Sequence, residues 1–161
     1  MSTNRYKPHL LILPEDGANA QVANGFVKEA AILYGVIQVL PEAGGWLVAL
    51  QLFEEDHVSR MREYTKRFLV LAIDFDGEFA TRIELVKGRI PDDLKNRVFV
   101  LGSAYDPETL KAELGSFEKI GSDLAQDCRE QTHTTWQHQQ LQHNGEEVAR
   151  LAACVRSFLF A

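Results

Sequence analysis

The 161-residue chain holds two cysteines, Cys128 and Cys154. They are too few and too far apart for a disulfide framework or a zinc site, and they read as reduced thiols at packed helix positions. Long apolar runs are missing as well. No stretch reaches the roughly 18 apolar residues of a membrane span, and Met1 to Pro8 lacks the apolar core of a secretory signal, so the expectation is a cytoplasmic protein with no membrane contact. A net positive charge is also absent. The formal charge of −6 argues against a chain that binds nucleic acid through bulk electrostatics. There is no internal repeat, and nothing demands a division of the chain. With 45% apolar residues, positions 1–161 suffice for one domain with a real core.

What is present is organised around Arg67-Phe-Leu-Val-Leu-Ala-Ile-Asp-Phe-Asp-Gly-Glu78. The continuous apolar run from Phe68 to Ile73 reads as a strand buried on both faces, with Asp74 and Asp76 at its C-terminal edge. In open parallel α/β sheets ligands bind just beyond those strand ends, and two nearby carboxylates repel unless a proton or cation offsets them. Oxygen ligands one residue apart suit Mg²⁺, which takes one or two carboxylates, keeps several waters and often sits against phosphate. The bland alternative is that the two aspartates only cap the next helix or end a strand.

The rest of the chain alternates. His9–Leu13 is a short strand closed by Pro14-Glu15-Asp16-Gly17, and Asp16 or Asn19 can cap a helix whose stripe would be Val22, Phe26, Ala30 and Leu33. Val36–Leu40 is a second strand. Trp46 to about Tyr64 has helical spacing, although Trp46–Phe53 could instead pair back on the second strand as a hairpin. After the Phe68–Ile73 strand comes a short helix or crossover, Glu78 to about Lys87, and then a fourth strand, Val98–Leu101, ending in Gly102-Ser103. Asp106-Pro107-Glu108 is a helix start, stopped by Gly115, and Phe117 to about Glu130 is a further helix. Glu146–Phe160 is amphipathic, with Val148, Leu151, Ala152 and Val155 facing the sheet. This order predicts four parallel strands, the first and third adjacent, covered on both faces with right-handed crossovers.

Two features remain outside that scheme. Gln131–Asn144 carries His133, His138 and His143 five residues apart, about 140° of helical rotation each, so they share no metal-binding face, and the stretch reads as a polar segment anchored by Trp136 and Leu141. Between positions 60 and 97, nine basic residues meet seven acids, a net +2 against −8 elsewhere. Such a segment, with Arg82 as the candidate contact to substrate, would suit a basic rim around an acidic metal centre; a solvated helix face gives the same count.

Glu15 closing the first strand and Asp74-Phe-Asp76 closing a later one resemble the Toprim domain family, the catalytic fold of type IA and type II topoisomerases, bacterial primases and certain small nucleases. The resemblance covers about residues 8–104 and leaves 105–161 as a helical extension. It implies a three-layer α/β sandwich with a mainly parallel four-stranded sheet, and Mg²⁺ or Mn²⁺ held by Asp74 and Asp76. The type IA form, Asp-x-Asp-x-Glu, would add Glu78 to the metal ligands. Glu15 would move the proton as general acid or base in phosphodiester chemistry. No tyrosine nucleophile or primase zinc module accompanies these acids, so the implied activity is hydrolysis of a nucleic acid.

Two other readings stand beside it. Ile73-Asp-Phe-Asp-Gly77 also looks like the first motif of haloacid-dehalogenase phosphatases, in which Asp74 would be the phosphorylated nucleophile and Asp76 the acid/base. Glu78 stands where that motif has threonine. The third reading is non-catalytic: a subunit that binds a nucleotide, nucleic acid or a partner protein, its acids kept as a cation site.

Overall fold

A computed structural model describes residues 2–29 and 31–161. Four strands form one sheet, β1 (His9–Pro14), β2 (Ile37–Val39), β3 (Arg67–Ala72) and β4 (Val98–Leu101), in the order β2-β1-β3-β4. Every pairing within this sheet is parallel. Leu10 lies opposite Ile37, His9 to Pro14 run alongside Arg67 to Ala72, and Leu69 to Ala72 alongside Val98 to Leu101. The chain is an α/β sandwich, as the alternation of strands and helices predicts.

The strands are apolar runs because both faces are covered. Leu10, Ile12, Val70, Phe99 and Leu101 point to one layer, built from α1 (Gly17–Val27), α5 (Pro107–Leu114), α6 (Phe117–Glu130) and α7 (Gly145–Leu159). Leu11, Leu13, Leu69, Leu71, Val98 and Val100 point to the other. That layer holds α2 (Trp46–Leu52), α3 (Val58–Glu63) and α4 (Phe79–Gly88). After β1 the chain winds outward to β2, then crosses to β3 on the far side of β1, so the winding direction reverses between β1 and β3. That is the switch point at which a doubly wound sheet opens a crevice.

The helices differ from expectation in two places. Helix α1 stops at Val27, so its buried positions are Ala23 and Gly25, and Leu33 lies beyond it, 40% exposed, with its N–H on the Leu159 carbonyl. Ala30, expected on the same stripe, is outside the described residues. The small residues have a packing reason. A Cβ on Gly25 would come within 2.0 Å of the Glu118 carbonyl oxygen, and one on Gly121 within 1.9 Å of that of Val22, so α1 and α6 cross in backbone contact. The Trp46–Tyr64 segment is helical and no hairpin forms, but one π turn, Phe53–His57, separates α2 from α3. Leu50, Phe53 and Met61 are buried while Leu47 turns out to solvent.

The C-terminal region does more than cover a face. Strand β4 is an edge, and its outward groups are met by side chains: Val100 N–H donates to Glu147 Oε2 at 3.3 Å, and Gly102 N–H to Asn144 Oδ1 at 3.2 Å. The Gly102 carbonyl accepts from Asn144 Nδ2 at 2.9 Å and contacts His143 Nε2 at 2.7 Å. An edge strand left with bare backbone groups would be a template for another chain. Trp136 and Leu141 are buried anchors, as expected, and Gln140 fastens the loop after β4 by accepting from the N–H groups of Ala104 and Asp106, both at 2.9 Å. Cys128 is buried on α6, where burial pushes its thiol up to about 11, and Cys154 is half-buried on α7. Among the described residues no helix is long and apolar enough to cross a membrane.

Candidate functional site

The acids gather at the C-terminal ends of β1 and β3, in the crevice at the switch point. Glu15 follows β1 directly. Its N–H donates to the Ala72 carbonyl at 2.9 Å, its carbonyl accepts from Gly44 and Gly45, and its Oε2 accepts from the Asp74 N–H at 2.7 Å. One side chain thereby ties the two strand ends together. Asp16 is extended and caps α1, its Oδ1 accepting from Asn19 N at 3.0 Å and Asn19 Nδ2 at 2.9 Å.

Past β3 the chain stays paired with the end of β4. Ile73 N–H donates to the Leu101 carbonyl, Phe75 to Ser103 and Gly77 to Ala104. Only glycine fits at 102, because a Cβ there would lie 1.4 Å from the Ile73 carbonyl oxygen. This approach brings Ser103, itself buried, onto Asp74, with Ser103 Oγ 3.0 Å from Asp74 Oδ1. Asp74 is 5% exposed. One oxygen from each of Glu15, Asp16 and Asp74 lies within 4.8 Å of the others.

The remaining expected ligands point elsewhere. The chain turns sharply at Asp76 and Gly77, with φ of 49° and 79°, and the turn carries Asp76 away from the cluster and toward Arg82. Asp76 Oδ2 accepts from Arg82 Nη1 at 2.7 Å; the same nitrogen donates to the Asp74 carbonyl at 2.7 Å, and the guanidinium stacks over Trp46 at 4.3 Å. Arg82 is 9% exposed, so it is a buried brace of the acid loop more than a free contact for substrate. Glu78 is largely in solvent, 3.8 Å from Arg82. Asp16, Ser103 and Asn19 are the members that sequence reasoning missed. A second acid directly after Glu15 was a usable signal, but capping explained it fully; Ser103 and Asn19 reach Asp74 only through the sheet.

Burial dominates the electrostatics. Taking the Glu15 carboxyl out of water pushes it up to about 7; the Asp74 N–H opposes this, and the charges of Asp74, Asp16 and Asp76 add to it. Burial likewise moves Asp74 up to about 6, against the hydrogen bond from Ser103 and the nearby Asn19 amide and with repulsion from Asp16 and Asp76. The cluster is therefore short of positive charge.

Its donor set suits a hard divalent cation. Oxygen bonds of roughly 2.0–2.1 Å put opposite ligands of Mg²⁺ about 4.2 Å apart, so carboxylate oxygens up to 4.8 Å apart need to close by only about half an ångström. The basic segment does not ring this site. Arg97 donates to the carbonyls of Met61, Tyr64 and Arg67 at the other end of the sheet, Arg62 pairs with Asp93, Arg89 with Glu54, and Lys87 with Glu147.

No protein-family model, curated protein or solved structure matches the chain. The acids and their neighbours therefore have to carry any reading of function on their own chemistry.

Proposed function

We propose that Glu15, Asp16 and Asp74 hold Mg²⁺ or Mn²⁺ and that Asp74 accepts a phosphoryl group, forming an aspartyl phosphate. One observation carries the reading: Asp74 is buried within the acid cluster and is the member that takes the Ser103 hydroxyl, whereas Asp76 is tied to Arg82. The reaction balances without a proton. A carboxylate oxygen of Asp74 bonds to phosphorus, the bond from phosphorus to the donor's bridging oxygen (acyl phosphate) or nitrogen (phosphoramidate) breaks, and the donor leaves with that electron pair.

The product is a mixed anhydride, so the donor belongs to the same high-energy class, an acyl phosphate or a phosphoramidate. A bound divalent cation would supply charge to the phosphoryl oxygens. Ser103 holds the Asp74 carboxylate in place, Glu15 fixes the Asp74 backbone, and Arg82 on α4 braces the loop. Incubation with acetyl phosphate and Mg²⁺ should add one PO₃ group by mass spectrometry. Asp74→Asn should abolish the addition and Asp76→Asn should retain it. A wild-type protein left unmodified would defeat the reading.

A second reading keeps the Toprim resemblance: Mg²⁺-dependent hydrolysis of nucleic-acid phosphodiesters with Glu15 as general acid or base. What favours it is the Glu15 carboxyl near 7, close to the working pH of such a group. Glu15→Gln should then lower cleavage of a labelled oligonucleotide by about 10²–10⁴ while leaving Mn²⁺ affinity within about tenfold. Cleavage without PO₃ addition selects this reading. Mn²⁺ binding with neither reaction leaves the acids as the cation site of a binding subunit for a nucleotide, nucleic acid or partner protein.

A further inference from the structure

Directly beneath the acid cluster, between the sheet and the layer of α1, α5 and α6, lies a cavity of about 110 Å³. Its inner wall is hydrocarbon and aromatic, with Leu10, Val70, Leu124, Trp136 and Leu151 drawn from β1, β3, α6, the 131–144 segment and α7. Apart from the indole N–H of Trp136, which has no hydrogen-bond partner, polar side chains border it where it rises toward the acids. There the lining is Asn19, Asp74 and Ser103, the same groups that shape the carboxylate site. The half-buried lining residues Ala18 and Val22 on α1 and Pro107 at the start of α5 put the entrance between those two helices, beside the crevice.

We infer that this cavity is a binding pocket for a small uncharged apolar molecule of about the size of a benzene ring, entering between α1 and α5 and resting against Asp74 and Ser103 from below. Three features of the cavity support the inference. Close-packed interiors rarely leave a void of this size, and an apolar cavity only slightly larger, about 150 Å³, stays dry and takes benzene or xenon. The wall is nearly devoid of polar surface, which excludes a charged or sugar-like ligand whose hydrogen bonds it could not replace. The cavity also runs from the core to the reactive acids, so a molecule within it touches the groups on which the site depends. The inference does not rest on phosphoryl chemistry at Asp74.

Benzene is the probe in solution and xenon the probe in a pressurised crystal. Saturable amide shifts at Ala23, Ala72 and Ser103 in a benzene titration, a change in Trp136 fluorescence in a Trp46→Phe background, and a xenon atom between the sheet and α6 are the expected results. Ala23→Leu and Ala72→Val fill the cavity from opposite walls and should each lower benzene affinity at least tenfold. Two variants are used to guard against overpacking in one of them; one folded variant is enough to decide. Unchanged benzene affinity in a folded filling variant, or a wild-type protein without saturable shifts up to the solubility of benzene, means a packing void only and overturns the proposal.

Discussion

The two ends of the one sheet both bury charge, and they handle it in opposite ways. At the N-terminal end His9 is fully buried, donating through Nδ1 to the Lys7 carbonyl and accepting from Arg67 Nε through Nε2, while Arg97 spends its guanidinium on three main-chain carbonyls. His9 Nδ1, Arg67 Nε and the Arg97 guanidinium there all have acceptors. At the C-terminal end the acids Glu15, Asp16 and Asp74 face one another, offset by neutral donors: the Ser103 hydroxyl, the Asn19 amide and the Asp74 N–H. Buried cations whose donors meet neutral acceptors hold strands together; buried charge of one sign, gathered at a switch point, stores repulsion that a ligand can relieve.

The largest effect expected from breaking this contrast is at the paired end. Arg97→Met should leave the carbonyls of Met61, Tyr64 and Arg67 without that donor and cost about 2–3 kcal/mol in denaturant unfolding, with no change in Mn²⁺ affinity. A cost below about 0.5 kcal/mol would mean the two ends are not different in kind. At the other end the sign reverses. Asp74→Asn removes one of the repelling charges and should stabilise the metal-free protein by about 1 kcal/mol, the worth of less than one pKa unit, while weakening metal binding. Destabilisation without metal would make Asp74 a structural residue.

The two ends also oppose each other in pH dependence. Glu15 and Asp74 have folded values raised above those of an unfolded carboxylate, so between about pH 4 and pH 7 the native state holds more protons and metal-free stability falls as pH rises through that window. Burial lowers His9, so the unfolded chain holds more protons below its ordinary value near 6.5, and stability from that end is lost as pH falls. His9→Gln should therefore flatten the acid side of the stability profile, and saturating Mg²⁺ should flatten the neutral side. Chemical denaturation from pH 4 to 8, with and without Mg²⁺, separates the two slopes. The smallest effect belongs to Glu78→Ala. Exposed and 3.8 Å from Arg82, it should move stability by less than about 0.5 kcal/mol and leave Mn²⁺ affinity unchanged.

Much of this was legible in the residues. Apolar runs cut by Gly, Pro and acids marked the four strands, and a strand buried on both faces made their parallel order readable. That order brings Glu15 and Asp74 together, so half the site followed from topology. The rest turned on geometry that spacing does not encode. Asp76 stands two residues from Asp74, yet the left-handed turn at Asp76 and Gly77 sends it to Arg82. Asp16 has a complete local explanation as a cap, which concealed its place in the cluster. Ser103 needed the backbone approach at Gly102, a contact across 29 residues of sequence with no local signature.

The sealing of β4 by Asn144 and Glu147 has a consequence for synthesis. The strand leaves the ribosome well before the residues that cover its outer edge, because Gly145 follows Leu101 by roughly forty positions, a few seconds at about 5–20 residues per second. Until α7 arrives, a nascent chain offers its neighbours a bare parallel edge. During that interval the outer edge of β4 is a template for another strand, and the arrival of Asn144 and Glu147 closes it.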